Sequence, residues 1–148
     1  MSMFIKFAAV VFSLIGLTDS IYLTVHHYTD EPVPCSIIAG CETVLTSSYA
    51  EIAGIPLAAF GSVAYFFAFS LAILSVYGNR TAWKLFGLQS VLMAAFSIWL
   101  IYVQAVLIKA FCQFCLLSAL TSFVLLILFL ISFAVRSSDL SPSADLQA

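Results

Sequence analysis

Four runs of the chain, at residues 3–28, 55–77, 82–108 and 112–135, are apolar and uncharged or nearly so. Each exceeds the ~20 residues that an α-helix needs to cross the hydrocarbon core of a bilayer. In hydrocarbon no water satisfies the backbone N–H and C=O groups, so a spanning segment of this kind must close its hydrogen bonds internally, as helix. The expected fold is therefore an all-α integral membrane protein. A bundle of four transmembrane helices forms one domain over residues 1–136, and a short polar tail at residues 137–148 is expected to be disordered. Composition agrees: with 64% hydrophobic and 8% charged residues, the chain has too few polar side chains to cover a water-soluble core. The first run follows a basic N-terminus, as a cleaved leader would. Yet it is longer than the ~7–15 residues of a leader's apolar region, and no small-x-small site ends it, so it is read as a retained span.

Orientation follows from five basic residues. In a four-span chain Lys6, Arg80, Lys84 and Arg136 fall on one side and Lys109 alone on the other, which places both termini in the cytoplasm. The loop between the first two spans carries Asp30, Glu31, Glu42 and Glu51 and no Lys or Arg, as suits an exported segment. The net charge of −2 by itself implies nothing about nucleic acid, but the chain has no basic patch to bind one, so no nucleic-acid partner is expected.

All four cysteines lie in two close pairs, Cys35 with Cys41 and Cys112 with Cys115. Two spans separate Cys41 from Cys112, so both pairs share one face whichever way the chain inserts. Charge asymmetry makes that face extracytoplasmic, a compartment in which disulfides persist. Cys112-x-x-Cys115 opens the fourth run, where the N–H groups of a helix start favour a thiolate and hence disulfide exchange. Two dithiols on one face can pass a disulfide from one to the other, which a single pair cannot. No metal is required.

Within the first span Asp19 is an acid at membrane depth, which marks a proton or ligand path unless Ser20 or a neighbouring helix holds it. His26 and His27 read as interfacial. Pro32, Pro34 and Gly40 make the segment around Cys35 and Cys41 a loop. Ser48 and Glu51 read as a capping box for a short surface helix ended by Gly54, with Pro56 in the first turn of the second span. Gly61 lets a helix or a flat ligand approach closely, and residues 77–80 form a tight turn. Trp83, Trp99 and Tyr102 read as interface anchors and packing, and Lys109, just before Cys112, as a snorkelling anchor or a cation that favours a nearby thiolate. Phe111 and Phe114 could stack on a planar ring or simply pack.

The order Gly16-Leu17-Thr18-Asp19-Ser20-Ile21-Tyr22-Leu23, Cys35 and Cys41, Ser47, Gly54-Ile55-Pro56, Phe60-Gly61 and Cys112-x-x-Cys115 resembles the bacterial homologues of vitamin K epoxide reductase over nearly the whole chain. The resemblance implies a four-helix bundle around a quinone, ubiquinone or menaquinone, in the bacterial inner membrane. It implies electrons passing from a thioredoxin-like (DsbA-like) partner to the loop cysteines, then to the inner pair, then to the quinone, in support of disulfide formation. Cys35 is then the thiol that meets the partner, Cys41 passes electrons to Cys112, and Cys115 faces the quinone. Ser47 matches a family serine near the quinone, and Asp19, Phe111 and Phe114, from depth and ring chemistry, are the other residues expected to bind it. Vertebrate enzymes carry an asparagine where this chain has Leu57 and a tyrosine where it has Ala119, which weighs against vitamin K epoxide as substrate. Many bacterial members carry a fused thioredoxin-like domain that this sequence does not show, so the expected partner is a separate extracytoplasmic protein.

Three other readings use the same cysteines. A four-thiolate zinc site is disfavoured on an oxidising face. A pair of structural disulfides in a transporter or assembly factor would show no redox turnover. A different four-helix quinone-coupled oxidase carries its Cys-x-x-Cys in the first outer loop, whereas here that motif comes last.

Overall fold

A computed structural model of the chain describes residues 2–140. Four long helices cross the molecule: α1 (Met3–Thr29), then, after a loop with a short α2 (Cys41–Leu45) and a hairpin of β1 (Glu51–Ile52) and β2 (Ile55–Pro56), α3 (Leu57–Val76), α4 (Arg80–Tyr102) and α5 (Gln113–Leu140). All four are long and apolar enough to span a membrane, the third with a π-helical turn (Val103–Ile108) added at its end. The chain is an all-α, multi-pass membrane protein. The first four residues of the expected polar tail continue α5 to Leu140, and residues 141–148 lie outside the described part.

The bundle is sorted as lipid dictates. Lipid tails are as apolar as leucine, so large hydrophobic side chains gain nothing by turning inward, and helices approach through small and hydrogen-bonding residues. Phe7, Val11, Phe66, Phe67, Leu88 and Leu130 face outward. Ala9, Ser13, Ala68, Ala72, Ser75, Ser90, Ala94 and Ser132 are buried. Polar bonds then tie the helices. Tyr65 Oη on α3 donates to the Ser118 carbonyl of α5 at 2.6 Å, Trp83 Nε1 on α4 donates to Ser132 Oγ at 3.0 Å, and Lys6 Nζ on α1 donates to the Ser75 carbonyl at 2.5 Å. Trp83, one of three residues read as interface anchors and packing, is a packing residue, buried and stacked on Phe86 with ring centroids 4.9 Å apart. The turn between α3 and α4 has Gly78 at φ +96° and Asn79 as a true N-cap, its Oδ1 accepting from the N–H groups of Thr81 and Ala82.

The loop between α1 and α3 departs from expectation in one place. The short helix is Cys41–Leu45, and after a turn at residues 46–50 the segment Glu51–Pro56 is a hairpin with register Glu51↔Pro56 and Ile52↔Ile55. Ala53 at φ 53° and Gly54 at φ 79° form the two left-handed positions of a type I′ turn. Pro56 biases Ile55 toward extended backbone, and the Glu51 carboxylate pairs with His27 Nε2 at 3.1 Å rather than reaching back to cap a helix. Gly54 therefore turns the hairpin, and Pro56 stands at the N-cap of α3, one residue before its first turn.

Candidate functional site

Both cysteine pairs sit at one end of the bundle. Cys35 and Cys41 are joined as a disulfide with Cα atoms 6.2 Å apart, and Cys112 and Cys115 are free thiols. Cys41, Val44 and Cys112 form one buried cluster, with Cys35, Leu45, Phe114 and Cys115 packed against it. Exposure divides the roles within each pair: Cys41 is 1% exposed and Cys112 0%, while Cys35 and Cys115 are only partly covered.

Two contacts dock the loop on the turn before α5. Ile37 N–H donates to Gln113 Oε1 at 2.9 Å, and Gly40 lies so close to the Phe111 backbone that a Cβ on residue 40 would collide with its carbonyl. Cys112 itself sits just ahead of α5, and its carbonyl accepts from Leu116 N–H at 3.0 Å. The Cys115 thiol, followed by the N–H groups of Cys115 and Phe114, hydrogen-bonds the Cys112 sulfur. Against the opposing effects of burial and of the Asp19 charge, these bonds hold Cys112 down at about 7. A helix start beside a dithiol thus makes Cys112 a nucleophile near neutral pH.

Beneath the pairs lies a cavity of about 360 Å³ bounded by α1, α3, α4, α5 and the hairpin. That falls in the range of roughly 300–1,000 Å³ typical of small-molecule sites. Its walls are mostly apolar, with Leu57, Phe60, Leu92, Phe96 and Ala119 among them. Of the four cysteines only Cys115 lines it. Asp19 lines it too, 7% exposed, and its Oδ2 has no hydrogen-bond partner among the described residues. Ser47 borders it with Oγ donating to the Val44 carbonyl at 2.7 Å, and His27 and Gly61 lie on its wall.

The expected site residues are thus only partly gathered. Asp19, Ser47 and Cys115 meet at the cavity, and Cys35, Cys41 and Cys112 sit beside it. Phe111 and Phe114 do not line it: Phe111 is exposed, and Phe114 packs on Tyr22 with centroids 5.3 Å apart. Tyr65 and Gln104, unremarked in the sequence, both line the cavity. Tyr65 Oη also lies 2.9 Å from Ser122 Oγ. The signal that could have found Gln104 is that it is one of two amides in its apolar span, with Gln89, each of which in hydrocarbon demands a partner.

The fold and the site define a membrane bundle in which an outer disulfide and an inner dithiol meet above an apolar cavity. A sequence profile of the vitamin K epoxide reductase family matches residues 7–130. The chain is 32% identical over 121 residues to the thiol-disulfide oxidoreductase LTO1 of Arabidopsis thaliana, an alignment covering 76% of this chain and 32% of that protein. This chain matches about a third of that relative's length. It belongs to the vitamin K epoxide reductase family.

Proposed function

We propose that the chain is a membrane thiol-disulfide oxidoreductase that carries electrons from a reduced thioredoxin-like partner through Cys35/Cys41 and Cys112/Cys115 to a membrane quinone, supporting disulfide formation. One observation carries the reading: Cys41 and Cys112 are buried together, Cys35 is the more exposed sulfur of the loop pair, and Cys115 is the one sulfur on the cavity wall. A partner thiolate attacking Cys35 releases Cys41. Cys41 then attacks Cys112 of an oxidised inner pair, and Cys115 is released toward the cavity. The partner's second thiolate resolves its mixed disulfide and releases Cys35, and Cys35 then attacks Cys41, re-forming the loop disulfide and releasing Cys112. Closing Cys112 and Cys115 gives up two electrons and two protons, which a quinone held in the cavity would accept.

The cavity fits such a group. It is apolar enough for a ring and a lipid tail, and the unpartnered Oδ2 of Asp19 offers a hydrogen bond to a ligand oxygen. Asp19 holds or moves a proton there, and Ser47 is a second polar group on the wall. Lys6, Arg80, Lys84 and Arg136 stand away from the cysteine end, so the positive-inside rule supports cysteines on the extracytoplasmic face of the membrane. The test is a mixture of purified protein, a reduced thioredoxin-like protein and a soluble quinone analogue, followed by quinone absorbance. Thiol-dependent loss of quinone is expected. Permanent oxidation of both pairs, whatever the state of the partner, would instead make them structural.

A further inference from the structure

Gln104 sits in the π-helical turn at the end of the third span, a kind of helix irregularity often found at functional sites. It is 3% exposed and gathers three N–H groups of the segment that leads to the inner cysteines. Its backbone carbonyl accepts from Lys109 N–H, the αL residue that ends the turn at φ 57°, and from Ala110 N–H at 3.2 Å. Its side-chain Oε1 accepts from Cys112 N–H at 3.0 Å. The partner of that last bond is a donor, so the amide oxygen must face it, and Nε2 occupies the other edge of the carboxamide. Gln104 also lines the cavity, and among the described residues Nε2 has no hydrogen-bond partner.

We infer that Gln104 is a positioning residue that bridges the inner cysteine pair and the cavity. Oε1 pins the Cys112 N–H so that the Cys112 sulfur meets the N–H groups of Phe114 and Cys115, and Nε2 offers donors to an acceptor oxygen in the cavity. The second half rests on the quinone reading, since a quinone presents carbonyl oxygens that only accept. Glutamine suits both halves at once: it has an acceptor for the backbone and donors for the ligand, with no charge beside a thiolate at membrane depth. Occupancy of the cavity is thereby felt at Cys112, two bonds away, before any electron moves.

The test uses the full chain in lipid nanodiscs, with Cys35→Ala and Cys41→Ala leaving the inner pair alone and reduced. Alkylation of Cys112 by iodoacetamide is followed by mass spectrometry across pH, with and without a short-chain ubiquinone analogue. With Gln104 in place the midpoint is expected at about 7. Gln104→Met, of equal length but with neither acceptor nor donor, is expected to raise it by about one unit or more. Gln104→Asn, too short to reach Cys112 N–H, is expected to do the same and serves if Gln104→Met does not fold. The analogue is expected to change the alkylation rate at pH 7 with Gln104 present and to leave it unchanged in Gln104→Met. A midpoint that stays at about 7 in these variants overturns the positioning of Cys112. An analogue effect of equal size with and without Gln104 overturns the bridge. An analogue that does not bind at all sinks the quinone reading and the cavity half with it, while the midpoint still decides the Cys112 half.

Discussion

Gly40→Ala isolates the docking of the loop on the inner pair. Gly40 sits at φ −132° and ψ 1°, outside the left-handed region, so the larger part of the cost of an added methyl comes from what it meets. It meets the carbonyl oxygen of Phe111, a backbone atom that no rotamer change can move aside. Forcing a methyl into such a contact costs roughly 1–3 kcal/mol. The cheaper relief is for the loop to lift off, which separates Cys41 from Cys112 and strains the bond from Ile37 N–H to Gln113. At 1.4 kcal/mol per tenfold, the docked population and with it the rate of Cys41–Cys112 bonding should fall about five- to 150-fold. The assay uses Cys35→Ala with Cys115→Ala, which leaves Cys41 and Cys112 to cross-link under mild oxidation, read by peptide mapping without reduction. In the chain with all four cysteines, Gly40→Ala should still form the Cys35–Cys41 disulfide, because those two sulfurs travel with the loop. A Cys41–Cys112 rate unchanged by the methyl would refute the reasoning, since the loop would then not need the docked position to exchange.

In the matching pair Cys41→Ala with Cys115→Ala, the remaining Cys35 and Cys112 should cross-link more slowly than Cys41 and Cys112 do; equal or faster bonding would reverse the order assigned to the loop cysteines. Asp19→Asn should slow quinone reduction by about 100-fold, the usual scale for a lost proton-transfer group, while thiol exchange with the partner is spared; unchanged turnover would make Asp19 structural. Alkylation of Cys112 should rise with pH to a midpoint at about 7 and be level by pH 9, where an ordinary thiol is still titrating. The sign is that of a lowered acid: the folded reduced protein gains from the ionised thiol fully above the ordinary thiol value and loses that gain as pH falls through about 7, so its thermal midpoint should drop over that window. Tyr65→Phe should lower the thermal midpoint in detergent by the equivalent of ~0.6–1.7 kcal/mol, the range for interhelical hydrogen bonds in membranes, because Ser118 and Ser122 lose their shared partner; no loss would mean water replaces the phenol.

The four spans were legible because hydrocarbon imposes a rule that acts residue by residue, and a run of apolar side chains satisfies it without regard to neighbours. Span ends moved by only a few residues, as at α3, which begins at Leu57 after the hairpin. The cysteine pairs and their common face were legible by counting spans. The hairpin at Glu51–Pro56 was not, because Ser48 and Glu51 also fit a capping box, and whether Glu51 caps a helix or instead meets His27, as it does, is a contact between elements.

What the linear chain by itself determined is the set of four helices, the pairing of thiols by proximity in sequence, and an acid at depth in Asp19 that had to find a use. Only the tertiary structure decided which groups share the cavity. It put Cys115 on the wall and Cys112 behind it, turned Phe111 and Phe114 away, and brought in Tyr65 and Gln104. The reason is geometric. A helix in lipid has no buried apolar stripe to announce its inner face, since both faces are hydrophobic. The inner face is set by where small residues let neighbours approach and where lone polar groups meet, and those meetings join residues as far apart as Tyr65 and Ser118.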